Sequence, residues 1–173
     1  MSQEIREIFE RVTESYSFPI RVGSRCEAKT FYRVESLTRS DLETCAAYVA
    51  ERIIKVCYPQ KPEKLINLPG GYTAFAEVLS KELCHSSEPL EVLSLSSLNP
   101  NNGGVAAVRQ KRVVLVNDVI TTARSCLEAH SKMTIMGANV MCWAALVDRT
   151  FGPGPVPVVA AFTGDPVTLL EPT

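Results

Sequence analysis

Apolar residues recur along this chain in two rhythms, one helical and one strand-like, and their alternation predicts the fold. Ile5, Ile8, Phe9 and Val12 fall on one side of a first helix. Residues 17–22 and 31–34 read as short strands joined by a basic turn over 23–29. Leu42, Cys45, Ala46, Val49, Ile53, Ile54 and Cys57 share the inward face of a long helix, which Ser40 is expected to cap and Pro59 and Pro62 to end. A strand over 64–68, the tight turn Pro69-Gly70-Gly71, a helix over 72–84 and a strand over 90–95 follow. Residues 96–110 read as a polar loop centred on Asn99-Pro100-Asn101-Asn102-Gly103-Gly104.

Val113 to Val116 are apolar without alternation, as in a strand covered on both faces. Thr121 and Thr122 break the run. Ser125 is expected to cap a helix whose inward positions include Cys126, Leu127, His130, Met133 and Met136, and Gly137 to stop it. A second apolar run over 139–147 completes a strand–helix–strand unit with an expected right-handed crossover. The tail is rich in Gly and Pro, with a strand over 156–162. This order predicts an α/β protein with a mainly parallel sheet. In such sheets ligands bind outside the carboxyl ends of the strands. The turn over 121–125 sits at that end, where backbone N–H groups, hydroxyls and the helix dipole together suit a phosphate. A carboxylate at Asp118 would accept hydrogen bonds from vicinal sugar hydroxyls.

This layout resembles the phosphoribosyl-pyrophosphate (PRPP) motif of the type I phosphoribosyltransferases. That motif has four apolar residues, two acids, two apolar residues, Thr, a variable residue, Gly, a variable residue, and Thr or Ser. The chain reads Val113 to Val116, Asn117-Asp118, Val119-Ile120, Thr121-Thr122, Ala123, Arg124 and Ser125, departing at Asn117 and Ala123 alone. The element order is similar to the orotate phosphoribosyltransferase branch. The resemblance implies a single domain over 1–173, built as a three-layer sandwich with a small hood formed by about residues 1–38 and the tail. It implies transfer of phosphoribose from PRPP to a nucleobase, such as the pyrimidine orotate, with release of pyrophosphate and with Mg²⁺. The alternative is a weak or inactive homologue that binds PRPP or a nucleoside monophosphate as a regulatory or partner-binding module.

Carried over by residue, the resemblance gives Asp118 the ribose hydroxyls, an indirect part in holding metal, and charge stabilisation at the anomeric carbon. Asn117 replaces the first acid and brings no charge to a cationic transition state. Thr121, Thr122, Ala123, Arg124 and Ser125 form the phosphate turn, with Ala123 where a Gly is usual. Asn117 and Ala123 read either as substitutions an active enzyme tolerates or as inactivation. Pro69, Gly70, Gly71 and Tyr72 occupy the place of the pyrophosphate turn, or simply lead into a helix. The loop over 96–110 matches the mobile catalytic loop in place, but carries Arg109 as its one cation instead of several. Lys111 and Arg112 are flanking charges. Asp148-Arg149 looks like the pair whose Arg meets the base's carboxylate, or is an ion pair at a strand end. Lys29, with Phe31 and Tyr32, loosely matches the base-covering strand.

Composition narrows the alternatives. The chain is 46% hydrophobic and 21% charged, enough for a real core. A net charge of −1 argues against a broad nucleic-acid surface. No apolar run is long enough for a bilayer, and the N-terminus is charged and amphipathic rather than signal-like. Six cysteines without short paired spacing, and two histidines, point to buried free thiols in a reducing cytoplasm rather than disulfides or zinc. Trp143 lies inside an apolar run and reads as core. A homodimer is expected from the resemblance alone.

Overall fold

The computed structural model describes residues 2–22, 26–84, 88–99, 103–150 and 154–170. Helix α1 (Gln3–Val12) leads into an antiparallel pair, β1 (Thr13–Arg21) and β2 (Cys26–Tyr32). A short 3₁₀ turn (Val34–Ser36) precedes α2 (Arg39–Cys57). Then come β3 (Lys64–Asn67), α3 (Thr73–Glu82), β4 (Glu91–Ser94), α4 (Gly104–Val108), β5 (Arg112–Val116), β6 (Val119–Ile120), α5 (Arg124–Ile135), β7 (Asn139–Asp148), β8 (Val158–Thr163) and β9 (Thr168–Leu169).

Strands β3 to β8 form one sheet in the order β4-β3-β5-β7-β6, with β8 paired to β7, and these pairings are parallel. The continuous apolar runs follow from burial on both faces. Val114 and Val116 point into a core with Phe9, Val49, Ile53, Phe75 and Leu79 of α1, α2 and α3. Val113 and Leu115 point the other way, into a core with Cys126, Ala129 and Met133 of α5, together with Trp143. Two helical layers thus enclose one sheet. Each large apolar side chain buried here contributes about 1.5–3 kcal/mol. Strands β1, β2 and β9 form a separate three-stranded sheet with its own small core of Val22, Cys26 and Ala28. Helix α1 packs into the main core through Ile5, Ile8 and Phe9.

The structure moves several boundaries. The hairpin strands are longer than the alternation suggests. Ser40 is not the cap of α2. Thr38 is, in a capping box with Asp41 in which each side chain bonds the other's backbone N–H, worth about 1 kcal/mol. Ile54 faces solvent. The region over 96–110 is not wholly loop, since it folds α4 and buries Leu98 and Val108. Parts of the expected basic turn (23–25), of the Asn-rich centre (100–102) and of the tail (151–153), and also His85, lie outside the described residues. The cysteines are free, and the Cys57 and Cys142 thiols are neighbours that interact with each other. Among the described residues no helix is long and apolar enough to cross a membrane.

Candidate functional site

The candidate motif interrupts a strand that continues across it. Asn117 N–H donates to the Ala144 carbonyl at 3.0 Å, and the Asp118 carbonyl accepts from Leu146 at 2.9 Å and Val147 at 3.0 Å. The Asn117-Asp118 pair is therefore pinned to β7 while its side chains project from the carboxyl end of the sheet. The Asp118 carboxylate accepts from Val119 N–H at 2.7 Å. Burial pushes its carboxyl above the usual value of 3.8, the Val119 N–H pulls it back, and the charge of Glu35 adds to the upward push.

The turn that follows is open. Ala123, not Ser125, is the N-cap of α5, and it sits in the left-handed region at φ 58°. No side chain caps the helix. The first intrahelical bond of this terminus is Leu127 N–H to the Ala123 carbonyl at 2.8 Å, which leaves the N–H groups of Arg124, Ser125 and Cys126 without helical partners. Among the described residues, the hydroxyls of Thr121, Thr122 and Ser125 make no hydrogen bond either. Arg124 reaches back to Glu128 at 2.9 Å on the exposed surface. Three backbone donors and three hydroxyls without protein partners among the described residues thus lie around the positive end of a helix.

A second turn meets the motif. Gly71 stands where a β-carbon would lie 3.0 Å from Asn67 Oδ1, 3.1 Å from Asn117 Oδ1 and 3.1 Å from the Leu68 carbonyl. Asn67 is buried and its Oδ1 has no partner. Gly70 is left-handed at φ 80°. The Gly71 N–H is already bound to the Leu68 carbonyl at 3.0 Å, so it is not a free donor. Pro69 has none. At the start of α3, Tyr72 caps without a side-chain bond, so no side chain satisfies the first-turn N–H groups there.

Asp118 and Thr121 line a cavity of about 230 Å³ with Val22, Phe31, Tyr32, Val34, Glu35, Val119 and Arg149. Arg149 is 3% exposed. Its guanidinium donates to the Thr30 carbonyl and Thr30 Oγ1, both at 3.1 Å, and to the Asp165 carbonyl at 2.7 Å, and it lies over the Tyr32 ring. It is not ion-paired with Asp148, whose Oδ1 accepts from Thr150 instead. Arg149 therefore ties β2 and the segment before β9 to the end of β7, with two of its five N–H groups left over. Lys29 is exposed on β2 and is not part of the cavity wall.

Arg109 lies at the end of α5 opposite the turn over 121–123, which does not bring it to Asp118. Gln110 N–H bonds the Gly137 carbonyl at 2.7 Å, and Arg109 Cγ packs against Gly137. Gly137 follows the C-terminus of α5, while the turn over 121–123 precedes its N-terminus. The 12 residues of α5 separate the two by about 18 Å at the usual helical rise. Lys111 and Arg112 pair with Glu63 at the start of β5. Sequence reasoning missed Glu35 and Asn67. Neither belongs to a motif: Asn67 is singled out by its burial, and Glu35, although exposed, by its place on the cavity wall.

No protein-family model and no curated protein matches the sequence. The fold does match solved structures. Orotate phosphoribosyltransferase from Francisella tularensis superposes with a TM-score of 0.66 at 20% identity, covering 94% of this chain and 83% of that one. The orotate phosphoribosyltransferase of Aeropyrum pernix gives 0.66 at 18%, covering 92% and 93%. A hypothetical protein from Neisseria gonorrhoeae with bound ppGpp gives 0.56 at 16%, covering 74% and 81%. The chain has the α/β fold of the type I phosphoribosyltransferases.

Proposed function

We propose that this protein binds PRPP at the Thr121–Ser125 turn and transfers its phosphoribose to a nucleobase, releasing pyrophosphate. The observation that carries this reading is the position of Asp118. Asp118 lines a cavity together with Thr121, the first residue of the turn that leads to the N-terminus of α5. The free N–H groups of Arg124, Ser125 and Cys126 would hold the 5′-phosphate. Asp118 would accept from the ribose hydroxyls and face the positive charge that develops as the anomeric C–O bond breaks. A nitrogen of the base then forms the new bond, and pyrophosphate departs with the electron pair. Its exit lies toward Gly70, Gly71 and the start of α3.

The donor set suits Mg²⁺. Asn67 Oδ1, Asn117 Oδ1 and Asp118 are hard oxygen donors, and the orphaned Asn67 Oδ1 is one a cation-bound water can satisfy. Among the described residues no three acidic, His or Cys side chains cluster, so the metal's main ligands would be PRPP oxygens. When bound, Mg²⁺ would neutralise the pyrophosphate leaving group.

An orotate-like base is supported by the two N–H groups that Arg149 has in reserve, and a neutral pyrimidine by the commitment of the other three. A homodimer belongs to the same reading and is tested by sedimentation. The deciding assay follows pyrophosphate release from PRPP and Mg²⁺ with orotate and each common base. Slow turnover with one base is expected, and no turnover with any of them would sink the transferase.

One observation favours a second reading, a non-catalytic module for PRPP or a nucleoside monophosphate. With Arg109 at the far end of α5, no cation of the described loop residues reaches the pyrophosphate side. Calorimetry separates the two: tight binding of a nucleoside monophosphate without any turnover selects the module.

A further inference from the structure

A carboxylate on the connection after β2 completes the cavity wall. Glu35 lies in the 3₁₀ turn Val34–Ser36 and lines the same cavity as Asp118, Thr121 and Arg149. Among the described residues it makes no hydrogen bond and no ion pair. Its neighbour Arg33 is bound to Glu14 and lies over the Phe31 ring. Arg149, the one cation on the wall, is spent largely on Thr30 and the Asp165 carbonyl. The charge of Glu35 is felt at Asp118. Two carboxylates therefore share one small cavity with a single cation, an arrangement that suits a developing positive charge. Asn117, at the first acidic position of the motif, supplies no charge to that end.

We infer that Glu35 is the second carboxylate of the ribose site, reaching the sugar from across the cavity and supplying the negative charge that Asn117 lacks. The inference rests on the phosphoribosyl reading of the cavity. Glu35 exchanges no proton in this step. As the anomeric C–O bond breaks, the electron pair leaves with pyrophosphate, and the sugar becomes positive between Asp118 and Glu35.

A matched pair of probes tests this without requiring turnover: 1,4-dideoxy-1,4-iminoribitol 5-phosphate, whose ring nitrogen is protonated, and 1,4-anhydroribitol 5-phosphate, whose ring oxygen is neutral. Calorimetry should show that the native chain prefers the cationic probe. Glu35→Gln should cut that preference about tenfold, the scale of one lost charge contact, and leave the neutral probe unchanged. Asn117→Asp placed in the Glu35→Gln chain should restore it. An unchanged preference in Glu35→Gln, an equal loss for both probes, or no restoration by Asn117→Asp each overturns the role of Glu35. If neither probe binds the native chain, the phosphoribosyl reading falls and Glu35 falls with it. Binding of the neutral probe without any cationic preference leaves that reading standing and removes Glu35 alone.

Discussion

Gly71 lies directly against the Asn117 carboxamide. A β-carbon at Gly71 would stand 3.1 Å from Asn117 Oδ1 and 3.0 Å from Asn67 Oδ1. The two turns of the candidate site, distant in sequence, are thus one packed unit. Gly71→Ala should drive a methyl into these oxygens and cost about 1–3 kcal/mol of stability, read by urea unfolding. PRPP affinity should fall with it. A neutral effect on both would show that the turns are independent.

Ala123 holds a left-handed backbone at φ 58° without the freedom of glycine. Ala123→Gly should stabilise the fold by about 1 kcal/mol, seen as a higher thermal midpoint, with phosphate affinity kept or improved.

Arg109 is removed from the site by the length of α5. Arg109→Ala should leave kcat and the KM for PRPP within about twofold, since a charge about 18 Å away is screened at physiological salt. A tenfold loss of kcat would put this residue back in the chemistry.

Asp118 is a charge kept at a cost. Its folded pKa is raised above 3.8, chiefly by burial, so the folded state holds the proton more tightly than the unfolded chain. Stability from this group is present at low pH and is lost as pH rises through the folded pKa. Asp118→Asn should raise the thermal midpoint at pH 7, and the gain should vanish as pH falls toward 3.8. The same variant should abolish transfer. A lower midpoint at pH 7 would contradict the burial argument.

The element order was legible because the sheet is buried on both faces, which leaves unbroken apolar runs such as Val113–Val116 between amphipathic helices. The caps were read less well. Thr38 rather than Ser40 begins α2, although Asp41 three residues later signals the box. The place of Arg109 follows from strand direction: a residue just before β5 stands at the amino end of a parallel sheet, opposite the candidate site. The tie from Arg149 to Thr30 and the cavity shared by Glu35 and Asp118 join segments far apart in sequence, and no local pattern encodes them.

The central claim is that a sugar phosphate docks on the open start of α5 beside Asp118. Titration of ribose 5-phosphate into the ¹⁵N-labelled chain tests it directly. The backbone amide resonances of Arg124, Ser125 and Cys126 should shift most, with Asp118 and Thr121 following and Arg109 unmoved. Saturable shifts centred elsewhere, or none at millimolar ligand, would contradict it.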